Sequence, residues 1–202
     1  MSSCTEPEGQ ASTSIAVADS LGADSATIDT EKPDNSYMLL ACLFQQQAAE
    51  YKALCYQAFN SARMSMLEDL NDPSVESPRA IITDIDETVL DNSPSQAACI
   101  LRNEDYPLGW DEWCNLASAR AIPGSLEFFK LAEGYGIDVF YVTNRKERFR
   151  EVTLKNLIAL GYPDADDAHL LMRTEGSDKE ARRKKIEEKY HISMLIGDNL
   201  GD

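Results

Sequence analysis

The sequence predicts an α/β fold built on a parallel sheet, and three observations carry that prediction. Four short apolar runs stand at 80–84, 138–145, 169–172 and 193–198. Continuous apolar runs of this length read as strands buried on both faces, the signature of parallel sheets. Helical patterns separate most of these runs, as right-handed crossovers between parallel strands require. Three of the runs end abruptly in polar residues: Asp84 and Asp86, Thr143-Asn144-Arg145, and Asp198 followed by Asp202.

The elements follow in order. Residues 1–36 hold seven acids against one lysine, many Ser, Thr and Ala, and no sustained apolar period, so a disordered tether is expected there. From 37 to about 70, Leu40, Phe44, Tyr51, Leu54, Ala58, Phe59, Ala62 and Met66 recur at helical steps and form one apolar stripe, in one helix or two. Asn71-Asp72-Pro73 stops it. After the first strand, 92–122 interrupts the rhythm with Tyr106, Trp110, Trp113 and then Ile122-Pro123-Gly124, which predicts a cap inserted over the sheet's C-terminal edge. Helices are expected over 125–133, over 147–160 with Gly161 as C-cap, and over 177–190. The last opens with Ser177-x-x-Glu180, a capping-box pattern.

Composition bounds the function. The chain has 202 residues, is 43% apolar and carries a formal charge of −16. That excludes wholesale disorder and argues against a protein that coats nucleic-acid polymers, which needs a basic face. No stretch approaches the ~20 apolar residues of a membrane span. Two histidines make a multi-histidine metal site a poor expectation. The five cysteines, at 4, 42, 55, 99 and 114, form no C-x-x-C pair. Cys42 and Cys55 read as small buried apolar groups. Cys114 and Arg120 match the C-x5-R spacing of cysteine-dependent phosphatases, but an acidic, non-strand segment precedes the thiol, so this is a chance match.

Ligands of open α/β sheets bind at the carboxyl ends of the strands. The polar strand ends should therefore converge although far apart in sequence. Three carboxylates gathered there would repel one another unless a cation sat between them, and hard oxygen donors suit Mg²⁺.

The segment Asp84-Ile85-Asp86-Glu87-Thr88-Val89-Leu90-Asp91-Asn92-Ser93-Pro94 resembles the first motif of the haloacid dehalogenase (HAD) superfamily of phosphohydrolases, and within it the class C acid phosphatases. Phe140 to Arg145 resembles the second motif, Lys179 the third, and Gly197 to Asp202 the fourth. The aromatic stretch 106–124 and the Gln57-Ala58-Phe59-Asn60 helix resemble class C as well. The aromatic residue that many members carry after Asn-Ser-Pro is Ser95 here. The resemblance covers about 37–202 and implies a HAD-like Rossmannoid parallel sheet with helices on both faces, a helical N-terminal segment and a small cap. It implies a Mg²⁺-dependent acid phosphatase that hydrolyses phosphate monoesters, nucleotides or other small esters, through an aspartyl-phosphate. Asp84 would be the nucleophile and Asp86 the general acid and base. Mg²⁺ would be held by Asp84, Asp198 and the backbone carbonyl of Asp86, with Asp202 orienting its waters. Thr143, Asn144 and Lys179 would bind the phosphoryl group. Tyr106, Trp110 and Trp113 read either as rings that stack a substrate nucleobase or as the cap's own small core. Arg182, Arg183, Lys184 and Lys185 read as a solvated helix face.

Two rival readings stand beside this one: a HAD phosphatase for sugar phosphates, and a catalytically silent surface protein on the same scaffold. Cys4, after small residues and before a polar stretch, resembles the start of a mature bacterial lipoprotein, although no apolar leader precedes it. That resemblance implies an extracytoplasmic location, in the periplasm or at the outer membrane, with a lipid on Cys4 as attachment. Members of the family continue beyond the fourth motif, so the fold is expected to extend past Asp202. The sequence leaves oligomeric state, pH optimum and physiological substrate open.

Overall fold

A computed structural model describes residues 34–174 and 176–201. Cys4, Asp202 and all but the last three residues of the expected tether lie outside the described residues.

Four parallel strands form the central sheet in the order β5-β4-β1-β6, with β1 (Arg79–Thr83), β4 (Asp138–Lys146), β5 (Leu170–Arg173) and β6 (His191–Ile196). Ile81 aligns with Val139 on one side of β1 and with Met194 on the other. The apolar runs are continuous because both sheet faces are covered. Ile81, Val139 and Tyr141 join Phe59 and Met66 of α2 (Ala49–Leu70), Phe128 and Phe129 of α5 (Ser125–Gly134) and Leu157 of α6 (Arg150–Leu160) in the larger core. Ala80, Ile82, Phe140 and Val142 point to the other face, where Ile186 of α7 (Glu180–Glu187) covers them. Successive strand residues thus serve opposite faces, as the pleat demands.

Between β1 and β4, a two-residue antiparallel pair, β2 (Leu90–Asp91) with β3 (Arg120–Ala121), forms the neck of the cap. The cap carries α3 (Ser93–Arg102) and α4 (Trp110–Leu116). Asp91 Oδ1 accepts the Ser93 N–H at 2.9 Å where the chain enters α3, whose Pro94 needs no donor in that first turn. Gly124, at φ +85°, turns the chain into α5. A Cβ there would stand 3.0 Å from the Tyr56 ring of α2, so the Ile-Pro-Gly turn is built for close helix approach.

Of the two readings left open for the N-terminal segment, two helices is the one found, α1 (Leu39–Gln47) and α2, broken at Ala48, whose ψ of 130° is extended. Three expectations need correction. The buried stripe runs through Cys42, Phe59 and Met66, with Cys55 half-buried, while Leu40, Phe44 and Leu54 are exposed. The break rotates the two halves out of one helical phase, which a single periodic count hides. The capping box of α7 is not formed: Asp178 Oδ1, not Ser177, accepts the Glu180 N–H, at 2.8 Å. The side chain nearer the first turn won the competition for that donor. Finally, Asn35, assigned to the tether, is buried; its Nδ2 donates to the Glu104 carbonyl at 2.8 Å. Such polar anchoring leaves no apolar period in a sequence.

Candidate active site

The C-terminal ends of β1, β4 and β6 lie side by side. The Asp84 N–H donates to the Ile196 carbonyl at 2.9 Å, so Asp84 and the 197–198 turn leave the sheet together. Past Asp84 the chain winds tightly: the Val89 and Leu90 N–H groups both reach back to the Ile85 carbonyl at 2.8 Å, with Glu87 in the left-handed region at φ 59°. A non-glycine residue held there is strained backbone, of the kind that concentrates at functional sites.

Asp84 is almost fully buried, and the Lys179 ammonium stands 2.5 Å from its Oδ1. Lys179 is the N-cap of α7 and is itself buried. Burying a lysine costs several kcal/mol unless a partner charge compensates, and Asp84 supplies one. The sequence placed these two residues about one hundred positions apart and the fold joins them.

Asp86 turns the other way. Arg145 grips it in bidentate fashion, Nη2 to Oδ1 at 2.7 Å and Nε to Oδ2 at 3.2 Å. Asn92 Nδ2 donates to the same Oδ1 at 2.8 Å. Asn92 Oδ1 in turn accepts the Trp113 indole N–H at 2.8 Å. Arg145 also donates to Thr153 Oγ1 at 3.2 Å and lies over the Trp110 ring, 5.5 Å from its centroid. The guanidinium is deeply buried; burial works against its charge, and the Asp86 carboxylate outweighs that and raises its pKa. Burial pushes the neighbouring Glu87 up to about 7, against hydrogen bonds from Asn92.

The second strand end is clamped from α7. Arg182 Nη2 donates to Asn144 Oδ1 at 2.8 Å, and its Nη1 donates to the Thr143 carbonyl. The Thr143 hydroxyl accepts the Arg145 N–H at 3.1 Å. Arg182 is buried, so its reading as solvated surface is corrected: only Arg183, Lys184 and Lys185 of that run stay outside the core. Asp198 sits exposed at the end of β6.

Charge balance at these strand ends differs from the expectation. Lys179 and Arg145 each take one carboxylate, so repulsion between acids alone does not call for a cation. Among the described residues no three metal-ligating side chains gather in one place. The donor chemistry nonetheless fits Mg²⁺. Asp84 and Asp198 leave adjacent strand ends, every donor is a hard oxygen, and a backbone carbonyl and waters complete such a set.

A cavity of about 530 Å³ opens beside Asp86 and is lined by Trp110 and Tyr106 of the cap. Trp113 is placed differently: like Trp110 it packs against the larger core, but it does not line the cavity and its indole N–H is tied to Asn92. The Cys114 thiol is buried and raised to about 11, chiefly by that burial, while the Arg120 side chain is largely exposed. A thiol in that state is no nucleophile, and the C-x5-R spacing is accidental. The sequence assigned no role to Arg145, Glu87 or Asn92 and put Arg182 on a solvated face. Only Arg145, a charge at the end of an apolar run, carried a signal that a partner was needed.

The chain belongs to the HAD superfamily, subfamily IIIB (acid phosphatase), whose family pattern matches residues 9–202. It is 40% identical to the class C acid phosphatase from Bacillus anthracis solved with tungstate bound, with a TM-score of 0.80 over 82% of this chain and 70% of that one. It is 31% identical over 130 residues to acid phosphatase 1 of Solanum lycopersicum, which covers 60% of this chain and 50% of the relative. Vegetative storage protein 1 of Arabidopsis thaliana is 29% identical over 131 residues, 60% of this chain and 47% of the relative. The chain thus spans about half the length of the curated relatives it matches.

Proposed function

We propose that this protein is a Mg²⁺-dependent acid phosphatase that hydrolyses small phosphate monoesters through an aspartyl-phosphate on Asp84. The observation that carries the reading is the buried pair of Asp84 and Lys179, 2.5 Å apart at a strand tip, with Asp86 two residues on. The tungstate bound by the Bacillus anthracis relative, a tetrahedral oxyanion, supports it.

In this reading an Asp84 oxygen attacks phosphorus, and the bond from phosphorus to the leaving oxygen breaks. Asp86 gives that oxygen its proton, an assistance of about 10²–10⁴-fold. Asp86 then takes a proton from water, whose oxygen attacks phosphorus. The phosphorus–Asp84 bond breaks and inorganic phosphate departs. Lys179 offsets charge on the phosphoryl oxygens, and Thr143 and Asn144, held by Arg182, face the same group. Arg145 and Asn92 fix the Asp86 carboxylate in place. Asp84, Asp198 and the Asp86 carbonyl would hold Mg²⁺, with Asp202 on its waters; when bound, the ion supplies positive charge to the phosphoryl oxygens. Trp110 belongs to the leaving-group cavity, and Trp113 supports the site through Asn92.

The functional unit is taken to begin by Asn35, which is anchored in it, with the residues before it as tether and an extracytoplasmic location through a lipid on Cys4. No helix among the described residues is long and apolar enough to cross a membrane. A silent scaffold is the second reading, favoured by the storage-protein relative. A buried nucleophile–lysine pair has no use in a storage protein, since it costs desolvation without stabilising more than an apolar pair.

The deciding experiment is p-nitrophenyl phosphate turnover with Mg²⁺, with chelator, and with Mg²⁺ restored. Activity lost on chelation and regained on restoration is expected. Turnover undiminished in excess chelator refutes the metal assignment, and no turnover under any condition favours the scaffold. Cys114→Ser is expected to leave turnover unchanged.

A further inference from the structure

The cavity beside Asp86 has walls that phosphoryl chemistry alone does not require. In the proposed reaction Asp86 hands its proton to the leaving oxygen, so the organic part of the substrate must lie on the Asp86 side, where this cavity opens. One wall comes from the cap: the Tyr106 and Trp110 rings meet edge-on, 5.7 Å between centroids. The N-terminal strap, through Tyr37 and Met38, also lines the cavity. The strap is fixed there by Asn35, which is 5% exposed and donates to the Glu104 carbonyl.

The charge of the lining is one-sided. Asp86, Glu87, Glu104 and Asp105 are its acids and Arg145 is the one cation among the lining residues described; Asp86 is paired with that cation and burial holds Glu87 up to about 7, so Glu104 and Asp105 are the carboxylates left to set the charge. That guanidinium is already committed to Asp86, Asn92 and Thr153. A second anionic group on a substrate would find carboxylates here and no unpaired cation among the lining residues. An ammonium group would find aromatic faces and carboxylates, the combination that recognises quaternary and primary ammonium ions.

We infer that this cavity selects phosphate monoesters whose organic part carries an ammonium group, and that the strap and cap together form the selecting wall. The inference rests on the phosphatase reading. Its test compares kcat/KM for phosphocholine, neutral glycerophosphate, anionic phosphoglycolate and adenosine monophosphate, each relative to p-nitrophenyl phosphate. Phosphocholine is expected to exceed glycerophosphate by roughly tenfold, and phosphoglycolate to fall below it. The double variant Glu104→Gln/Asp105→Asn is expected to erase most of that preference. Tyr106→Ala, an exposed position whose loss leaves the core intact, is expected to reduce it. Thermal melts of each variant confirm the fold.

Turnover of p-nitrophenyl phosphate with no preference among the four esters overturns the inference and leaves the phosphatase standing. So does a preference for adenosine monophosphate over phosphocholine, which would mean that a flat neutral ring fills the cavity. A charge preference that survives the double variant also overturns it. No turnover of any ester overturns both.

Discussion

The two ends of β1 use the same residue type for opposite purposes. At the N-terminal end, Asp69 closes α2 onto the sheet: its carboxylate accepts from Arg79 Nε at 2.9 Å and Ser193 Oγ at 2.7 Å, and meets His191 Nε2 at 2.8 Å. At the C-terminal end, Asp84 meets Lys179 and Asp86 meets Arg145. Burial does not tell the two ends apart: the Asp69 side chain is 18% exposed, Asp84 9% and Asp86 24%. What differs is what the acids join. Asp69 ties the end of one helix to the starts of two strands and so holds elements together. Asp86 and Glu87 sit on a strained turn that lines a cavity, at the sheet edge where ligands bind. An ion pair is therefore read by the elements it bridges and the space it borders, not by its distance.

The comparison breaks most visibly with paired Asp→Asn substitutions. Asp84→Asn is expected to lower kcat on p-nitrophenyl phosphate by roughly 10⁴-fold or more, as loss of a covalent nucleophile does elsewhere. Its thermal melt should move far less. Asp69→Asn is expected to do the reverse, losing stability with kcat kept. If Asp84→Asn retains appreciable kcat, the C-terminal end is not the catalytic one.

Arg145→Lys sharpens the same contrast within the site. A lysine keeps the charge but cannot make the bidentate grip on Asp86 or lie flat over Trp110. A fall in kcat of about 10–100-fold is expected with KM little changed, because positioning of the proton donor suffers while the phosphoryl group keeps its own partners. A rise in KM alone would place Arg145 on the substrate instead.

Much of this was legible in the sequence because the signals were local or periodic. The apolar runs mark β1, β4, β5 and β6 to within two residues at either end. The polar strand ends point to Asp84, Asp86, Thr143, Asn144 and Asp198 because sheet direction alone brings them to one edge. What stayed hidden depends on side-chain reach across elements. Arg182 sits in a run of basic residues that looks solvated, and only the packing of α7 against β4 and β5 shows it buried on the Thr143 carbonyl. Trp113 and Trp110 are alike in sequence, yet three residues of helix send them to different neighbours. Asn35 makes its contacts with backbone carbonyls, which no residue pattern reports.

Acid stability separates the two ends most quietly. Burial acts to raise the Asp69 carboxyl, but hydrogen bonds from Ser193, His191 and Arg79 outweigh it and hold it below the usual carboxylate range. A carboxyl depressed in the folded state contributes stability that is complete above its unfolded pKa of about 4. That contribution is lost as pH falls through the lower, folded value. Asp69→Asn removes the titrating group, so the variant should be less stable at neutral pH by about 1–3 kcal/mol, the usual worth of hydrogen bonds to a charged group. The gap between the two proteins should narrow as pH drops below about 4, because the wild-type clasp is then being protonated. Melting both from pH 7 to pH 3 tests this directly. Curves that stay parallel throughout would mean that Asp69 holds the sheet by shape alone, and that its charge contributes nothing.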